Sequence, residues 1–276
     1  MPELPEVQTV INGIKPKILG KEIIDFIKLS PKLRHPISQS IRRKIVKKFV
    51  KSIYRRAKYI ILDLENNQSI IIHLGMSGRI IISNSSNRVL PKHTHFIISF
   101  SNQIDLIYVD PRRFGLIKVL NSDSFCRSKF FMHLGVEPLN KEFNGKYLRK
   151  LCKNKNSSIK SIIMNQKNVV GVGNIYASES LFLAKVNPVK KGYLVTADEC
   201  NDIVKSIKKV LMKSIKLGGS SINDHAMVSG KLGNYQNKLE VYGRVGANCR
   251  KRTCQSKILR IVIAQRSTFY CPICQK

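Results

Sequence analysis

The chain has 276 residues, of which 49 are Lys or Arg and 17 are Asp or Glu, so its formal net charge is +32. This excess predicts a polyanionic partner, either nucleic acid or an anionic membrane surface, while a hydrophobic content of 43% excludes a disordered basic tail. No apolar run approaches the ~18–20 residues of a membrane-spanning helix, and the first residues lack a signal-peptide pattern. We therefore expect a cytoplasmic protein without a membrane partner, whose seven cysteines are reduced thiols or metal ligands.

The first part of the chain is predicted to be one helix followed by a β domain. Apolar residues recur at spacings of three and four through residues 3–18, which predicts a helix with one apolar stripe. From residue 21 to about residue 120, short β-branched runs alternate with Asn, Gly, Ser and Pro turns, which is typical of an antiparallel sandwich or barrel. The predicted strands are 22–29, 59–64, 69–74, 79–83, 94–100, 105–109 and 116–120. Residues 122–145 are predicted to be a linker with one short helix near Phe130.

Beyond residue 145 the hydrophobic period becomes helical. Helices are predicted over 146–153, 158–166, 175–184 and 196–217, and the last of them opens with the capping box Thr196-Ala197-Asp198-Glu199. The tail holds four of the seven cysteines around a strand predicted over 258–263. The sequence thus predicts an α+β protein with a β domain over 1–121, the linker, a helical domain over 146–239 and a cysteine-rich module over 240–276.

The four cysteines of this module have the spacing of a metal site. Cys249-x4-Cys254 and Cys271-x2-Cys274 are separated by sixteen residues. Four thiolates at ~2.3 Å satisfy tetrahedral Zn²⁺ with no open position, so one structural Zn²⁺ is favoured over four unrelated buried thiols. Six basic residues crowd the module and suggest that it binds phosphates: Arg250, Lys251, Arg252, Lys257, Arg260 and Arg266.

The first residues offer a nucleophile. Met before a small residue such as Pro is normally removed, which would leave a secondary amine at Pro2. An α-amino group has a pKa of ~8, so a useful fraction is neutral and nucleophilic at neutral pH. Attack on an electrophilic carbon would give an iminium, an electron sink for eliminations, and Glu3 could donate or shuttle a proton. The alternative is an ordinary Pro-Glu helix opening with first-turn carboxylates.

Six segments, taken in chain order, resemble a known family. They are Pro2-Glu3-Leu4-Pro5-Glu6-Val7, Arg56-Ala57-Lys58-Tyr59, His73-Leu74-Gly75-Met76-Ser77-Gly78, Asp110-Pro111-Arg112-Arg113-Phe114-Gly115, Gly171-Val172-Gly173-Asn174-Ile175-Tyr176-Ala177-Ser178-Glu179 and the cysteine module. Together they closely resemble bacterial formamidopyrimidine-DNA glycosylases, the base-excision enzymes for oxidised purines. The resemblance runs end to end and implies an N-terminal β-sandwich with a flanking helix, then a helical helix–two-turn–helix domain that ends in a zinc finger.

The resemblance also implies the chemistry. Pro2 would displace the damaged base at the sugar C1′ and form a Schiff base with the deoxyribose, with Glu3 as the proton donor. Lys58 would be the donor for β-elimination, and Arg266 the residue for δ-elimination. The implied partner is double-stranded DNA with oxidised bases or abasic sites, bound by a nucleoid-associated monomer. Two supporting carboxylates are implied as well, Glu6 and Glu179.

An enzyme that acts on C1′ must extrude the nucleotide and fill the gap that is left in the duplex. The resemblance assigns this wedge to three residues on two turns, whose glycines favour exposed tips: Met76, Arg112 and Phe114. Taken singly, the Met and the Phe would more often be core residues. The implied phosphate contacts are Arg113, His93, Lys155, Lys160 and Asn174, the last on a turn before a helix.

Three features depart from the family pattern. The first cysteine pair is C-x4-C where C-x2-C is usual, Gln8 stands where an acidic residue is common, and residues 218–225 match the lesion-capping loop only loosely. Two alternatives remain open. One is the sister enzyme, endonuclease VIII, which prefers oxidised pyrimidines but usually has Gly where Leu4 stands. The other is a catalytically inactive zinc-containing DNA- or RNA-binding protein, which would need neither the amine nor Lys58.

Overall fold

The N-terminal part of the protein is a helix followed by eight antiparallel strands. The structure is a computed structural model, and it describes residues 2–220 and 233–276. Helix α1 buries Val7, Ile11, Ile14 and Ile18 along the predicted apolar stripe. The elements in chain order are α1 (Leu4–Ile18), β1 (Glu22–Lys28), α2 (Ser40–Ile45), β2 (Lys48–Arg56), β3 (Tyr59–Leu64), β4 (Gln68–His73), β5 (Arg79–Asn84), β6 (Thr94–Phe100), β7 (Ile104–Val109) and β8 (Leu116–Asn121).

The eight strands are hydrogen-bonded in the order β5-β7-β6-β1-β2-β3-β4-β8, and every pair is antiparallel. Strand β1 pairs with β2 only through its first two residues, so the sheet divides there into two four-stranded layers. Alternate residues of both layers share one core with α1, for example Ile60 and Leu62 on β3 and Phe96 and Ile98 on β6. The predicted β-sandwich with a flanking helix is therefore confirmed.

The second part of the described chain is helical and ends in a hairpin. Its elements are α3 (Gly145–Cys152), α4 (Ile159–Met164), α5 (Asn174–Leu183), α6 (Ala197–Lys216), β9 (Leu259–Ile263) and β10 (Arg266–Tyr270). Helix α6 begins with the predicted capping box, in which Thr196 N–H donates to Glu199 Oε2 at 2.8 Å and Glu199 N–H donates to Thr196 Oγ1 at 3.2 Å. Helix α4 begins at the side chain of Ser158, which accepts the N–H of Ser161.

The chain divides into two compact units, each made of two stretches of sequence. The first unit comprises Met1–Met132 and Leu217–Asn234, and the second comprises His133–Lys216 and Tyr235–Lys276. The chain therefore leaves the first unit after residue 132, returns to it after α6 and leaves it again after residue 234. Among residues 2–220 and 233–276, no helix is both long and apolar enough to span a lipid bilayer.

The predicted elements agree with the structure to within about two residues, apart from three differences. Strand β2 and the preceding α2 are additional, because cations alternate with the buried Val50 and Ile53 and conceal the apolar pattern. The helix predicted near Phe130 is absent, since the ring of Phe131 packs against aromatic neighbours from a turn, and the nearest helical turn is the 3₁₀ turn Phe125–Arg127. Strand β10 is also additional, and it pairs with β9 across a tight turn.

Candidate active site and nucleic-acid interface

The predicted nucleophile lies in a buried segment at the start of α1. Pro2, Glu3 and Glu6 are all buried, the last two with side chains 3% and 8% exposed. The backbone N–H of Glu3 donates to Glu6 Oε2 at 2.9 Å, which fixes the turn that carries Pro2. Buried carboxylates are costly unless hydrogen bonds satisfy them, so these contacts define one conformation of the first residues. Met1 lies outside the described residues.

Glu6 also joins this segment to a distant part of the first unit. Its Oε1 accepts the backbone N–H of Ser220 at 2.8 Å and the Ser220 hydroxyl at 3.0 Å. The neighbouring Gly219 has a φ of +77°, and a Cβ there would lie 3.1 Å from Glu6 Oε1. The first residues of the predicted lesion-capping segment, 218–225, therefore contact Glu6. The residues of this segment from 221 onward lie outside the described chain.

Lys58 occupies the turn between β2 and β3, in the same unit. Its side chain is 8% exposed, and the preceding Ala57 has a φ of +53°. Arg55 fixes this turn, because its guanidinium donates to the carbonyl of Ala57 at 2.9 Å and to Gln8 Oε1 on α1 at 3.3 Å. The structure thus ties the turn of Lys58 to the helix that follows Pro2.

His73 is a polar residue of this region that the sequence did not single out, although it lies in the motif of Met76. Burial and the charges of Lys58 and Arg34 lower the pKa of His73 to about 4. Its Nδ1 accepts the N–H of Gly75 at 3.0 Å, so the neutral ring carries its proton on Nε2. At neutral pH His73 is therefore an uncharged hydrogen-bond donor beside Lys58.

The three predicted wedge residues lie on two neighbouring turns of the first unit. Met76 is 39% exposed and Phe114 is 44% exposed, so neither is a core residue and both side chains are accessible to a partner. The guanidinium of Arg112 lies 5.1 Å from the centre of the Phe114 ring. The turns touch through their backbones: Gly75 has a φ of +64°, and a Cβ there would lie 2.4 Å from the carbonyl carbon of Phe114.

Two predicted phosphate contacts flank these turns. Arg113 is exposed and has a φ of +57°, and His93 is exposed and has a φ of +67°. Left-handed backbone is uncommon for residues other than glycine, and both residues lie in connections between strands. The His93 carbonyl accepts the N–H of Asp110 at 3.0 Å, which holds the two segments side by side.

In the second unit, Asn174 begins α5 and contacts strand β10, which begins with Arg266. Asn174 Nδ2 donates to the carbonyl of Ser267 at 2.8 Å, and Asn174 Oδ1 accepts from Lys160 Nζ at 2.5 Å. Lys160 also donates to the hydroxyl of Thr268 at 2.7 Å. Arg266 itself is exposed at the start of β10.

The expectation that Lys160 contacts phosphate is wrong. Its side chain is only 1% exposed, and its ammonium group is bonded within the protein. The physical reason is that its ammonium group donates hydrogen bonds to buried polar acceptors on α5 and the hairpin, and burial keeps it away from the surface. Lys155, by contrast, is exposed on the loop before α4. The N–H of Asn174 has no acceptor among the described residues, as expected for a helix N-terminus that can bind an anion.

Glu179, in the same unit, is a buried carboxylate that accepts hydrogen bonds from the backbone. Its carboxylate is 2% exposed and accepts the backbone N–H groups of Glu240, Val241 and Tyr242 at 2.8, 3.0 and 2.8 Å. Burial raises the pKa of Glu179, although the three N–H groups act in the opposite direction. This carboxylate therefore fixes the chain where it enters the cysteine module.

The four predicted metal ligands converge. The Sγ atoms of Cys249, Cys254, Cys271 and Cys274 all lie within 4.8 Å of one another. The distances from Cys249 to Cys274 and from Cys254 to Cys271 are 3.9 and 3.6 Å, too long for disulfides. Bonds of ~2.3 Å in a tetrahedron place sulfurs about 3.8 Å apart, so the four thiols fit a metal ion of this kind. Burial opposes ionisation of Cys271, but N–H groups of Cys274 and Ile273 lower its pKa to about 7.

Comparisons with known proteins agree with this arrangement. The formamidopyrimidine-DNA glycosylase N-terminal domain matches residues 1–117, and the H2TH domain of the same enzymes matches residues 134–226. A formamidopyrimidine-DNA glycosylase from Wolbachia pipientis subsp. Culex pipiens (strain wPip) is 44% identical over 275 residues, which is 100% of both chains.

Solved structures of Lactococcus lactis Fpg are similar throughout. The wild-type protein in complex with N7-benzyl-Fapy-dG-containing DNA has a TM-score of 0.90 and 33% identity and covers 100% of both chains. A complex with DNA containing an abasic site has the same score and identity and covers 99% of both chains. The predicted helix–two-turn–helix domain is thereby confirmed, and the chain belongs to the formamidopyrimidine-DNA glycosylase family.

Proposed function

We propose that this glycosylase removes oxidised purines, namely 8-oxoguanine and formamidopyrimidines, from duplex DNA and then cleaves the abasic strand by β,δ-elimination, acting as a monomer. The observation that carries the proposal is the buried N-terminal segment, in which Glu6 holds the backbone of Glu3 next to Pro2. The substrate class is supported by the relatives, because the Lactococcus lactis proteins are bound to Fapy-dG-type and abasic-site DNA.

Pro2 is the proposed nucleophile once Met1 has been removed. The lone pair of its nitrogen forms a bond to C1′. At the same time the bond from C1′ to the base breaks, and the base leaves with the electron pair of the broken bond. Glu3 is the proposed donor of the proton needed in this step. Opening of the sugar ring then gives an iminium, the Schiff base, between the Pro2 nitrogen and C1′.

The iminium is the electron sink for both eliminations. Loss of a proton from C2′ expels the 3′ phosphate, and a second elimination along the conjugated chain expels the 5′ phosphate. Lys58 is the proposed donor for the first elimination, and Arg266 for the second. The neutral state of His73 suits this role of Lys58, because the ammonium group does not face a second cation there at neutral pH.

The proposed DNA contacts follow from exposure and charge. Arg113, His93 and Lys155 are exposed and would bind phosphates, and Asn174 would do so through the N–H groups at the start of α5. Unstacking a base step costs a few kcal/mol, and side chains inserted into the gap recover part of it. Met76 and Phe114 would fill the gap, and Arg112 would hydrogen-bond the orphaned partner base.

One structural Zn²⁺ is the proposed metal of the cysteine module. Its site fits a closed set of four thiolates, which leaves no position for a substrate and therefore no direct role in the reaction. The ion would hold the start of β9 to the end of β10, and so fix the base of the hairpin that carries Arg266 near its turn.

Trapping with borohydride tests the proposed nucleophile. Reduction of the Schiff base on a duplex containing 8-oxoguanine should give a covalent protein–DNA adduct, and Pro2→Gly should abolish it. Pro5→Gly is the matched control, because Pro5 is also buried in the first turn but carries no amine. Loss of the adduct in both variants would indicate that only the turn matters.

The lesion in the duplex separates the alternatives. Equal trapping on thymine glycol would favour an enzyme of the endonuclease VIII type, and no adduct on either lesion would favour an inactive DNA-binding protein. Protein that retains Met1 should bind DNA but not cleave it, whereas full cleavage would refute the role of the amine.

A further inference from the structure

Asp110 is a buried carboxylate for which the proposed chemistry has no role. It follows strand β7, is 0% exposed and forms no ion pair with any described residue. Its Oδ1 accepts the hydroxyl of Ser77 at 2.5 Å, and its Oδ2 accepts the N–H of Gly115 at 2.8 Å. One carboxylate therefore binds both wedge turns, since Ser77 follows Met76 and Gly115 follows Phe114.

Ser77 extends this connection to the third wedge residue. Its hydroxyl oxygen accepts the backbone N–H of Arg112 at 3.1 Å while its proton goes to Asp110. The backbone of Asp110 contributes too, because its carbonyl accepts the N–H of Arg113 at 3.2 Å and the ring Nε2–H of the buried His95 at 2.8 Å. All of these groups belong to the first unit.

The Tyr108 hydroxyl fills the remaining space between the turns. It lies 3.2 Å from the carbonyl of His73 and 3.5 Å from Asp110 Oδ2. A Cβ at Gly115 would lie 1.6 Å from this hydroxyl oxygen, and one at Gly78 would lie 2.4 Å from it. Neither turn can therefore shift towards the other, and burial raises the pKa of Tyr108, so its proton is retained.

We propose that Asp110 is a positioning residue that holds Met76, Arg112 and Phe114 in one rigid arrangement before DNA is bound. The inference rests on the proposed function, in which these residues enter the duplex. A buried carboxylate without a cation is costly, and what it supplies here is a direct hydrogen-bonded link between two turns whose backbones already lie in contact. Side chains ordered in advance lose less entropy on insertion, so more of the unstacking cost is recovered.

Asp110→Asn tests this role, because it keeps the side-chain volume but replaces one acceptor oxygen by a donor that faces a hydroxyl or an N–H. Asp105→Asn is the matched control: Asp105 is also 0% exposed, lies on β7 and is bonded to Ser85 and Arg88 instead of the wedge turns. The measurements are single-turnover excision of 8-oxoguanine and the fluorescence of 2-aminopurine next to the lesion, which reports unstacking. Urea unfolding of each variant gives the stability.

We expect Asp110→Asn to slow excision from an intact duplex by about tenfold and to reduce the fluorescence change, as for loss of a charge-assisted hydrogen bond. With a one-nucleotide gap opposite the lesion there is no partner base to displace, and the defect should fall to about twofold. Ser77→Ala, which removes one of the bonds, should give a smaller defect in the same direction and carries the test if Asp110→Asn does not fold.

Two results would overturn the inference: the same rates in the Asp110 and Asp105 variants, or a defect of equal size on gapped and intact duplexes. The second result would assign Asp110 to the chemical step or to stability. Failure of the unsubstituted protein to excise or trap any lesion would instead reject the proposed function, so the two failures are distinguishable.

Discussion

The close approach of the two wedge turns can be tested at a single glycine. Replacing Gly75 by Ala has two separate effects: an L-residue at a φ of +64° costs about 1 kcal/mol, and its Cβ meets backbone atoms of Phe114 and Gly115 at 2.4 and 2.5 Å. Ordinary carbon contacts are about 3.5–4.0 Å, so the turns must separate by roughly 1 Å. Overpacking of this kind costs about 1–3 kcal/mol, which gives a total loss of about 2–4 kcal/mol.

Gly20 isolates the first effect. It has a φ of +70°, but a Cβ there would have no atom within 4 Å, so Gly20→Ala should lose only about 1 kcal/mol. Urea unfolding of both variants measures the free energies of unfolding, and titration with lesion-containing duplex measures affinity. We expect Gly75→Ala to bind lesion DNA about tenfold more weakly and Gly20→Ala to bind it normally. Equal losses of stability and affinity in the two variants would refute the close packing of the turns.

The other predictions concern the metal, pH and the first turn. Cys254→Ser should lower the amount of bound zinc, measured by a colorimetric metal assay, and should weaken DNA binding by at least about tenfold. The control Cys126→Ser, at an exposed cysteine, should change neither quantity. Metal-free protein that binds DNA normally would contradict this prediction. Because the pKa of His73 is about 4 in the folded state and about 6.5 unfolded, the unfolded state binds more protons in this range, and stability should fall by about 2 kcal/mol from pH 7 to pH 5. Urea unfolding of His73→Gln should lack most of that loss, and an unchanged pH dependence would exclude His73 as its source. Glu6→Gln, which places an amide against the N–H of Glu3, should slow borohydride trapping by about tenfold. Glu65→Gln, at an exposed residue, is its control. Equal trapping by both variants would show that the first turn does not depend on the Glu6 carboxylate.

Local patterns predicted the parts of the fold that depend on neighbouring residues. The spacing of Val7, Ile11 and Ile14 is sufficient to predict α1, because a helical face is set by positions three and four apart. The order of the strands could not be predicted in this way. Strand β1 pairs with β6 through residues that are 68 to 77 positions away, and nothing in the local composition of either strand specifies that partner.

The same distinction holds for the candidate site. The four cysteines were predicted because two short spacings imply one chemistry. Lys160 was misassigned because it lies in a Lys- and Ser-rich segment that suggests a solvated loop, whereas its acceptor Thr268 is 108 positions away. Asp110 opens one of the motif segments, but its proposed positioning role could not be predicted, since it depends on a hydrogen bond from Ser77, 33 residues earlier. Contacts between residues so far apart in the sequence are determined by the packing of the whole unit.

The division of each unit into two stretches of sequence limits how the protein can be shortened. The acceptor atom of Glu6 and the Ser220 groups that donate to it are separated by 214 positions, so a fragment that stops at residue 132 contains every strand of the sandwich but leaves this buried carboxylate without those donors. During translation, Glu6 likewise lacks these donors until the ribosome has synthesised Ser220. The segment that carries the proposed nucleophile is thus synthesised first, but Glu6 gains its Ser220 donors only after about four-fifths of the chain has been made.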